Sequence, residues 1–371
     1  MSVGNGQEHD ELRQVVREFL GERSSSPEVR RLMEAGESRD DEVWSLLAGQ
    51  LGLTGIAVPE QYGGAGYGPV ELGIVLEEMG RALLVAPYFA TVVLAGHALA
   101  ASGDEEAMAR WLPGIADGSV TATLAVAEES GSWDLAEVAA TAAPDGDGWA
   151  VTGTKSFVID GHTADLLLVA AHAPDGPGVF AVERGAAGAE RARLDALDMT
   201  RALASVTLRE TPAVRVGAGR DTVAWLSEVT DLVLAALAAE QLGGAARCLE
   251  LSVEYAKARE QFGRPIGSFQ AIKHKCANLL LEVECGRSAV SQATAALAGR
   301  EPDAPLAAAL AYVHCSRAFT RAAKECIQIH GGIGYTWEHD AHLYLRRAKS
   351  SELFLGPPAR QRARLAELAG I

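Results

Sequence analysis

Residues 255–284, YAKAREQFGRPIGSFQAIKHKCANLLLEVE, carry two runs of helical period joined by the turn FGRPIGSFQ, with Arg259 before the turn and Gln270 at its end. A second stretch, residues 326–349, CIQIHGGIGYTWEHDAHLYLRRAK, interrupts another helical run with Gly331, Gly332 and Gly334, just after Gln328. A glycine pair exposes backbone amides that an anion or a ring edge can approach. Arg259 adds forked donors and a permanent charge. The same two glycines and Arg259 also suit a helix cap and a salt bridge. Around these stretches the helical period predicts long segments over 220–258, 266–299, 303–330 and 338–352, so 218–371 reads as a helical region. Upstream, 119–217 changes character: TATLAVAEE, GWAVTGTKSFVID, ADLLLVAAH, GVFAVE and ASVTLRE are short β-prone runs between Gly, Pro and Asp clusters. Residues 1–118 return to helices punctuated by glycine. There, Val43, Leu46, Leu47 and Leu51 share one helical face, PEQYGGAGYGP (59–69) forms a tight loop, and VELGIVLEEMGRALL resumes the helix. Helices, then strands, then helices predict an α+β chain with separate layers rather than alternating βαβ units.

Composition narrows the function. A chain of 371 residues implies two or three packed units. With 48% apolar, 22% charged and 6% aromatic residues it suits a soluble, helix-rich protein. A net charge of −16 disfavours a nucleic-acid binder, which relies on clustered Lys and Arg. The polar, acidic start MSVGNGQEHDELRQ is neither a signal nor a transit peptide, and no uncharged apolar run approaches the roughly 18 residues of a membrane span. Cysteines 248, 276, 285, 315 and 326 lack C-x-x-C spacing, which points to reduced thiols in a cytoplasmic protein. There is no G-x-S-x-G elbow, Walker loop or H-E-x-x-H. GGIG follows a helical run rather than a strand, which removes a Rossmann reading. His274 with Cys276, or Cys326 with His330, lack further ligands, so no metal site is expected.

The two opening stretches resemble the C-terminal helical domain of the acyl-CoA dehydrogenase family. The loop PEQYGGAGYG and the strand pair GWAVTGTKSFVIDG match the same family in order and spacing. The resemblance covers nearly the whole chain. It implies an N-terminal helical domain (1–118), a middle small β-barrel-like domain (119–217) and a C-terminal four-helix bundle (218–371). It also implies FAD, an acyl-CoA or related thioester substrate, a dimer-of-dimers assembly, and an electron-transfer flavoprotein or other acceptor. Chemically, removing a proton α to a thioester and a hydride from Cβ needs a carboxylate base and a flavin on opposite sides of one bond. In the family the flavin lies between β domain and bundle, with its ADP half held by the neighbouring subunit. By position, Arg259, Phe262, Gln270, Gln328, Gly331 and Gly332 match the residues that reach across to that half.

Several positions depart from the family pattern. The catalytic Glu often found just before the last motif's glycine is Leu355 in SELFLGPP. Its alternative place on the first helix of the C-terminal domain is Val233. The flavin-facing Thr-Glu pair is Ala127-Glu128, the W-x-T of the next strand is Phe157-Val158-Ile159, and Trp133 stands where a small polar residue is common. A relocated base is sought in Glu240 of LAAEQLGG, roughly 10 Å beyond Val233 along the helix. As a lone carboxylate in apolar surroundings it is expected to have a raised pKa; a buried ion pair or helix cap is the competing expectation. Three readings follow: an active dehydrogenase with a relocated base, one subunit of a heteromeric α2β2 dehydrogenase lending ADP-half contacts to a partner's flavin, or a non-catalytic binding or assembly protein on the same fold. The acyl pocket is expected around 80–100 and 233–243; fatty, branched, steroid side-chain and carrier-bound acyl groups all remain open.

Overall fold

The first layer is helical because its apolar residues recur every three to four positions and its breaks carry glycine or a capping carboxylate. A computed structural model describes residues 3–371. It starts with α1 (Val3–Arg23), α2 (Ser26–Ala35), α3 (Asp41–Gly49) and α4 (Pro69–Ala82). Asp40 caps α3, its carboxylate accepting from the amides of Glu42 and Val43. A wide π-type turn, Phe89–Gly96, leads into α5 (His97–Ser102), and α6 (Glu105–Ala116) closes the layer.

Seven strands follow: β1 (Ala122–Ala125), β2 (Thr141–Asp145), β3 (Gly148–Ile159), β4 (Leu166–Ala173), β5 (Gly176–Glu183), β6 (Ala189–Leu194) and β7 (Leu203–Val216). β4, β2, β3, β7 and β5 pair in a ring that β4–β5 closes, while β1 runs parallel to β4 and β6 flanks β7. The register of β3 against β7 shifts between Lys155 and Val158, and in that irregularity Phe157 takes a φ of 58°. Lys155 is fully buried, its ammonium bonded to Glu128 at 2.8 Å and to the Val126 carbonyl at 3.1 Å.

The C-terminal layer is built on α7 (Thr222–Ala258), with α8 (Gln270–Gly299), α9 (Ala304–His330), α10 (Ala341–Leu353) and α11 (Pro358–Leu368). A hairpin of β8 (Glu260–Gln261) and β9 (Arg264–Pro265) joins α7 to α8. The helix expected from 266 begins instead at Gln270. Ile266–Ser268 forms a 3-10 turn and Phe269 is extended, so α-helical geometry starts only at Gln270. By length and composition α7 is apolar enough to cross a membrane, but it is the central helix, and most of its apolar stretch is buried between α4, α8 and α9.

Glycines permit the α4–α7 crossing. A Cβ at Gly243 would stand 1.8 Å from the Glu77 carbonyl oxygen, and one at Gly80 2.0 Å from that of Glu240. Backbone meets backbone there, so no side chain can yield. Gly243→Ala is therefore expected to cost about 3 kcal/mol or more, read as a lower urea midpoint with an unchanged slope. A parental midpoint would show that the helices separate without penalty.

Candidate functional site

Consecutive helices joined by short connections run antiparallel, so the ends of α7 and α9 and the start of α8 lie at one end of the bundle. The Tyr255 ring packs on His330 at 4.3 Å between centroids, and His330 on His339 at 4.1 Å, tying the α7 and α9 ends together. This end displays all six residues expected to meet an ADP group. Arg259 caps α7. Phe262 rides the β8–β9 hairpin 91% exposed, and Gln270 opens α8. Gln328 sits on the outer face of α9, followed by Gly331 and Gly332. Gly331 needs its residue type for a φ of 64°. Gly332 does not have a positive φ, and no atom lies within 4 Å of where its Cβ would stand. Among the described residues, the side chains of Arg259, Gln270 and Gln328 make no hydrogen bond and Arg259 has no ion pair.

At the other end, between β domain and bundle, lies a cleft of about 680 Å³. Phe157 and Leu203 form its strand side, Leu353, Phe354 and Pro357 its helix side, and Ser130 is among its polar edges. Ala127 and Ile159 are buried and bring no hydroxyl. A second cleft, about 720 Å³, is lined by Trp133, Ser227, Thr230, Leu355 and Arg360. The two share a wall made by the edge-to-face pair Trp133–Phe354, 5.2 Å between centroids. Arg360 braces the wall, donating to Ser132 at 2.6 Å, Asp134 at 2.7 Å and Glu137 at 3.0 Å. Leu355 is only 1% exposed and Val233 is fully buried, so both expected base positions present hydrocarbon.

Glu240 overturns one expectation. It is buried, but not alone. Its Oε1 accepts from Arg201 and, at 2.8 Å, from Arg347 Nη1. Arg347 also donates to Asp198 at 2.9 Å and to the Thr200 carbonyl at 3.0 Å. Burial alone would push the Glu240 pKa up, but the two guanidiniums hold it below the ordinary carboxylate range. The expected raised value is thus corrected: the carboxylate is a paired structural charge and a poor proton acceptor near neutral pH. Beside it, Leu84, Phe89, Asp160, Thr200, Arg201 and Glu240 enclose only about 20 Å³, room for about one water. The acyl pocket expected along 80–100 and 233–243 is therefore filled here. Burial pushes Asp160 up to about 7 despite Arg201, Arg347 and Arg193.

Arg201, Arg347, Asp198 and Asp160 were not singled out by sequence. One signal was available for Arg347: it follows Leu343 and Tyr344 at i+4 and i+3, which puts an arginine on the buried face of α10.

The whole chain has counterparts among known proteins. The sequence models for the N-terminal, middle and C-terminal domains of acyl-CoA dehydrogenase match residues 6–119, 123–209 and 234–369. The acyl-CoA dehydrogenase IpdE2 of Mycolicibacterium smegmatis is 35% identical over 359 residues, 97% of this chain and 98% of that protein. The acyl-CoA dehydrogenase FadE27 of Mycobacterium tuberculosis is 35% identical, over 92% of this chain and 91% of its own length. Among solved structures, the Tcur3481-Tcur3483 steroid ACAD G363A variant superposes with a TM-score of 0.89 at 37% identity, covering 98% of each chain. The ChsE4-ChsE5 complex of Mycobacterium tuberculosis superposes with a TM-score of 0.88 at 31% identity, covering 98% of this chain and 97% of the other.

Proposed function

We propose, from the premise that this chain belongs to the acyl-CoA dehydrogenase family, that it acts as one subunit of a heteromeric FAD-dependent dehydrogenase. Its Arg259 end would hold the ADP half of a flavin seated mainly in a second, dehydrogenase-like chain.

The observations that carry this reading are hydrocarbon at both base positions, Leu355 and Val233, and the missing hydroxyls at Ala127 and Ile159, taken with a separation within one chain. Between Thr230, which lines the cleft beside Leu355, and Ala258 at the end of α7 lies roughly 40 Å of helix at about 1.5 Å per residue. That exceeds an extended flavin dinucleotide, so the two ends of this chain serve different molecules. The Arg259 end fits its share: an unengaged guanidinium suits a pyrophosphate, and bare Gly332 leaves room for a backbone approach. The near cleft is large enough for a ring but lacks hydroxyls at 127 and 159 and a carboxylate at 355 or 233. When bound, FAD supplies the hydride acceptor for Cβ of the acyl-CoA. The base that takes the α-proton then belongs to the partner. Similarity to a steroid ACAD and to the ChsE4-ChsE5 complex supports a heteromer and a polycyclic, steroid-derived acyl thioester. The closing electron acceptor in this reading is an electron-transfer flavoprotein.

Expressed alone, the chain is expected to purify with little FAD, seen as a weak flavin absorbance per mole of protein. Within an assembled heteromer, Arg259→Ala is expected to weaken FAD retention tenfold or more through loss of a charge-assisted contact, with an unchanged melting temperature. Full, tight occupancy in the lone chain would overturn the partner requirement, and parental retention in Arg259→Ala would remove Arg259 from the cofactor.

A further inference from the structure

Away from both clefts, a cavity of about 360 Å³ lies where the α1–α2 turn, α4, the last third of α7 and the start of α10 meet. Its wall carries three guanidiniums, those of Arg17, Arg81 and Arg247, against two carboxylates, Glu78 and Asp340. Both carboxylates are already engaged: Glu78 accepts from Arg13 and Arg17, and Asp340 from Arg30. Arg81 pairs with Glu250, and Arg247 with Glu250 and, at 3.6 Å, with Glu254. Each arginine keeps donors to spare. Arg17 uses Nε and Nη2, leaving Nη1; Arg81 uses both Nη atoms, leaving Nε; Arg247 uses Nη1, leaving Nε and Nη2.

A separate observation points the same way. Ser24 lines this cavity at 8% exposure, and among the described residues its hydroxyl has no hydrogen-bond partner. Beside it α2 begins, and its N-cap, Ser25, makes no side-chain capping bond. Ser25 and Ser26 also line the space, so the positive end of a ten-residue helix opens onto it. The Ser24 hydroxyl and the spare guanidinium donors keep access to the space in the cavity, where an oxyanion can accept from all of them at once.

We propose that this cavity binds a phosphate-class oxyanion, held by Arg17, Arg81, Arg247 and the Ser24 hydroxyl at the start of α2. Guanidiniums match phosphate oxygens with forked, charge-assisted bonds. The volume, bordered by Leu20, Val29 and Leu343, admits a small body attached to the phosphate as well as the free ion. Because the walls come from both the N-terminal helices and the bundle, an occupant fastens the two together and stabilises the fold by mass action.

The test is thermal unfolding of the full chain in inorganic phosphate, in glycerol phosphate and in sodium chloride at equal ionic strength. Either phosphate is expected to give a saturable rise in Tm that chloride does not, and the stronger of the two identifies free ion or ester as the source. Ser24→Ala is expected to weaken the half-saturating concentration about tenfold, and Arg247→Gln about thirtyfold. Ser24→Ala removes only the free hydroxyl, so it keeps the test decisive if Arg247→Gln folds poorly. A phosphate response no larger than that of chloride overturns the site, as does a response that Ser24→Ala leaves at parental strength. Either failure leaves the flavin reading of the Arg259 end untouched.

Discussion

Glu240→Gln is expected to lower the stability of the chain by about 3 kcal/mol, because it leaves two buried guanidiniums facing a neutral amide. Arg201 and Arg347 are both nearly inaccessible, and each spends a donor on Glu240. Asp198 still balances Arg347, so the larger share of the loss falls on Arg201, whose Nη1 already lacks a partner. Chemical denaturation near neutral pH reads the change directly. A relocated catalytic base behaves in the opposite way: the substitution would spare stability and abolish turnover of the assembled enzyme. A parental denaturation midpoint with lost activity would therefore restore Glu240 as the base.

Asp160→Asn is expected to stabilise the chain at about pH 8 by a few kcal/mol, about 4 at most. The folded Asp160 is pushed up to about 7 from an ordinary 3.8, chiefly by burial. A carboxyl that binds its proton more tightly when folded adds stability below about pH 4. That contribution drains away as the pH rises towards 7, where folding must accept an ionised carboxylate. Asparagine stays neutral throughout and tolerates the residue's φ of 52°. Variant and parent should therefore converge at low pH and separate steadily above it. Parallel stability curves from about pH 4 to 8 would show that the buried carboxyl does not titrate in this range.

The layers were legible because each carries its own period. Long α7, α8 and α9 repeat apolar residues every three to four positions, and β3, β4, β5 and β7 are rich in Val, Leu and Phe. β2 and β6 escaped for a physical reason. TAAPD contains a proline and one β-branched residue, and AERARL alternates charge with alanine on an exposed flank. Their pairing with β3 and β7 makes them strands, not their own propensity. The exposed end of the bundle could be read because its residues cluster within two short motifs. The Glu240 environment could not: its partners lie 39 and 107 residues away along the chain. A local window therefore sees only the apolar neighbours, and it assigns the pKa shift the wrong sign.

The ring of strands also bears on how the chain behaves when it is made alone. Five strands close on themselves, and β1 is shielded by the Phe89–Gly96 turn, where Thr91 accepts from the Ala122 amide. Apart from the exposed flank β6, whose Glu190, Arg191 and Arg193 resist pairing, such a sheet offers newcomers little unpaired backbone, so strand-by-strand fibrillar growth has a poor template here. The sticky surface lies elsewhere. Phe262, Tyr335 and Trp337 stand out into solvent at the Arg259 end, and any self-association of the chain made alone should start from that aromatic fringe; under the heteromer proposed above, a companion that covers the fringe suppresses it.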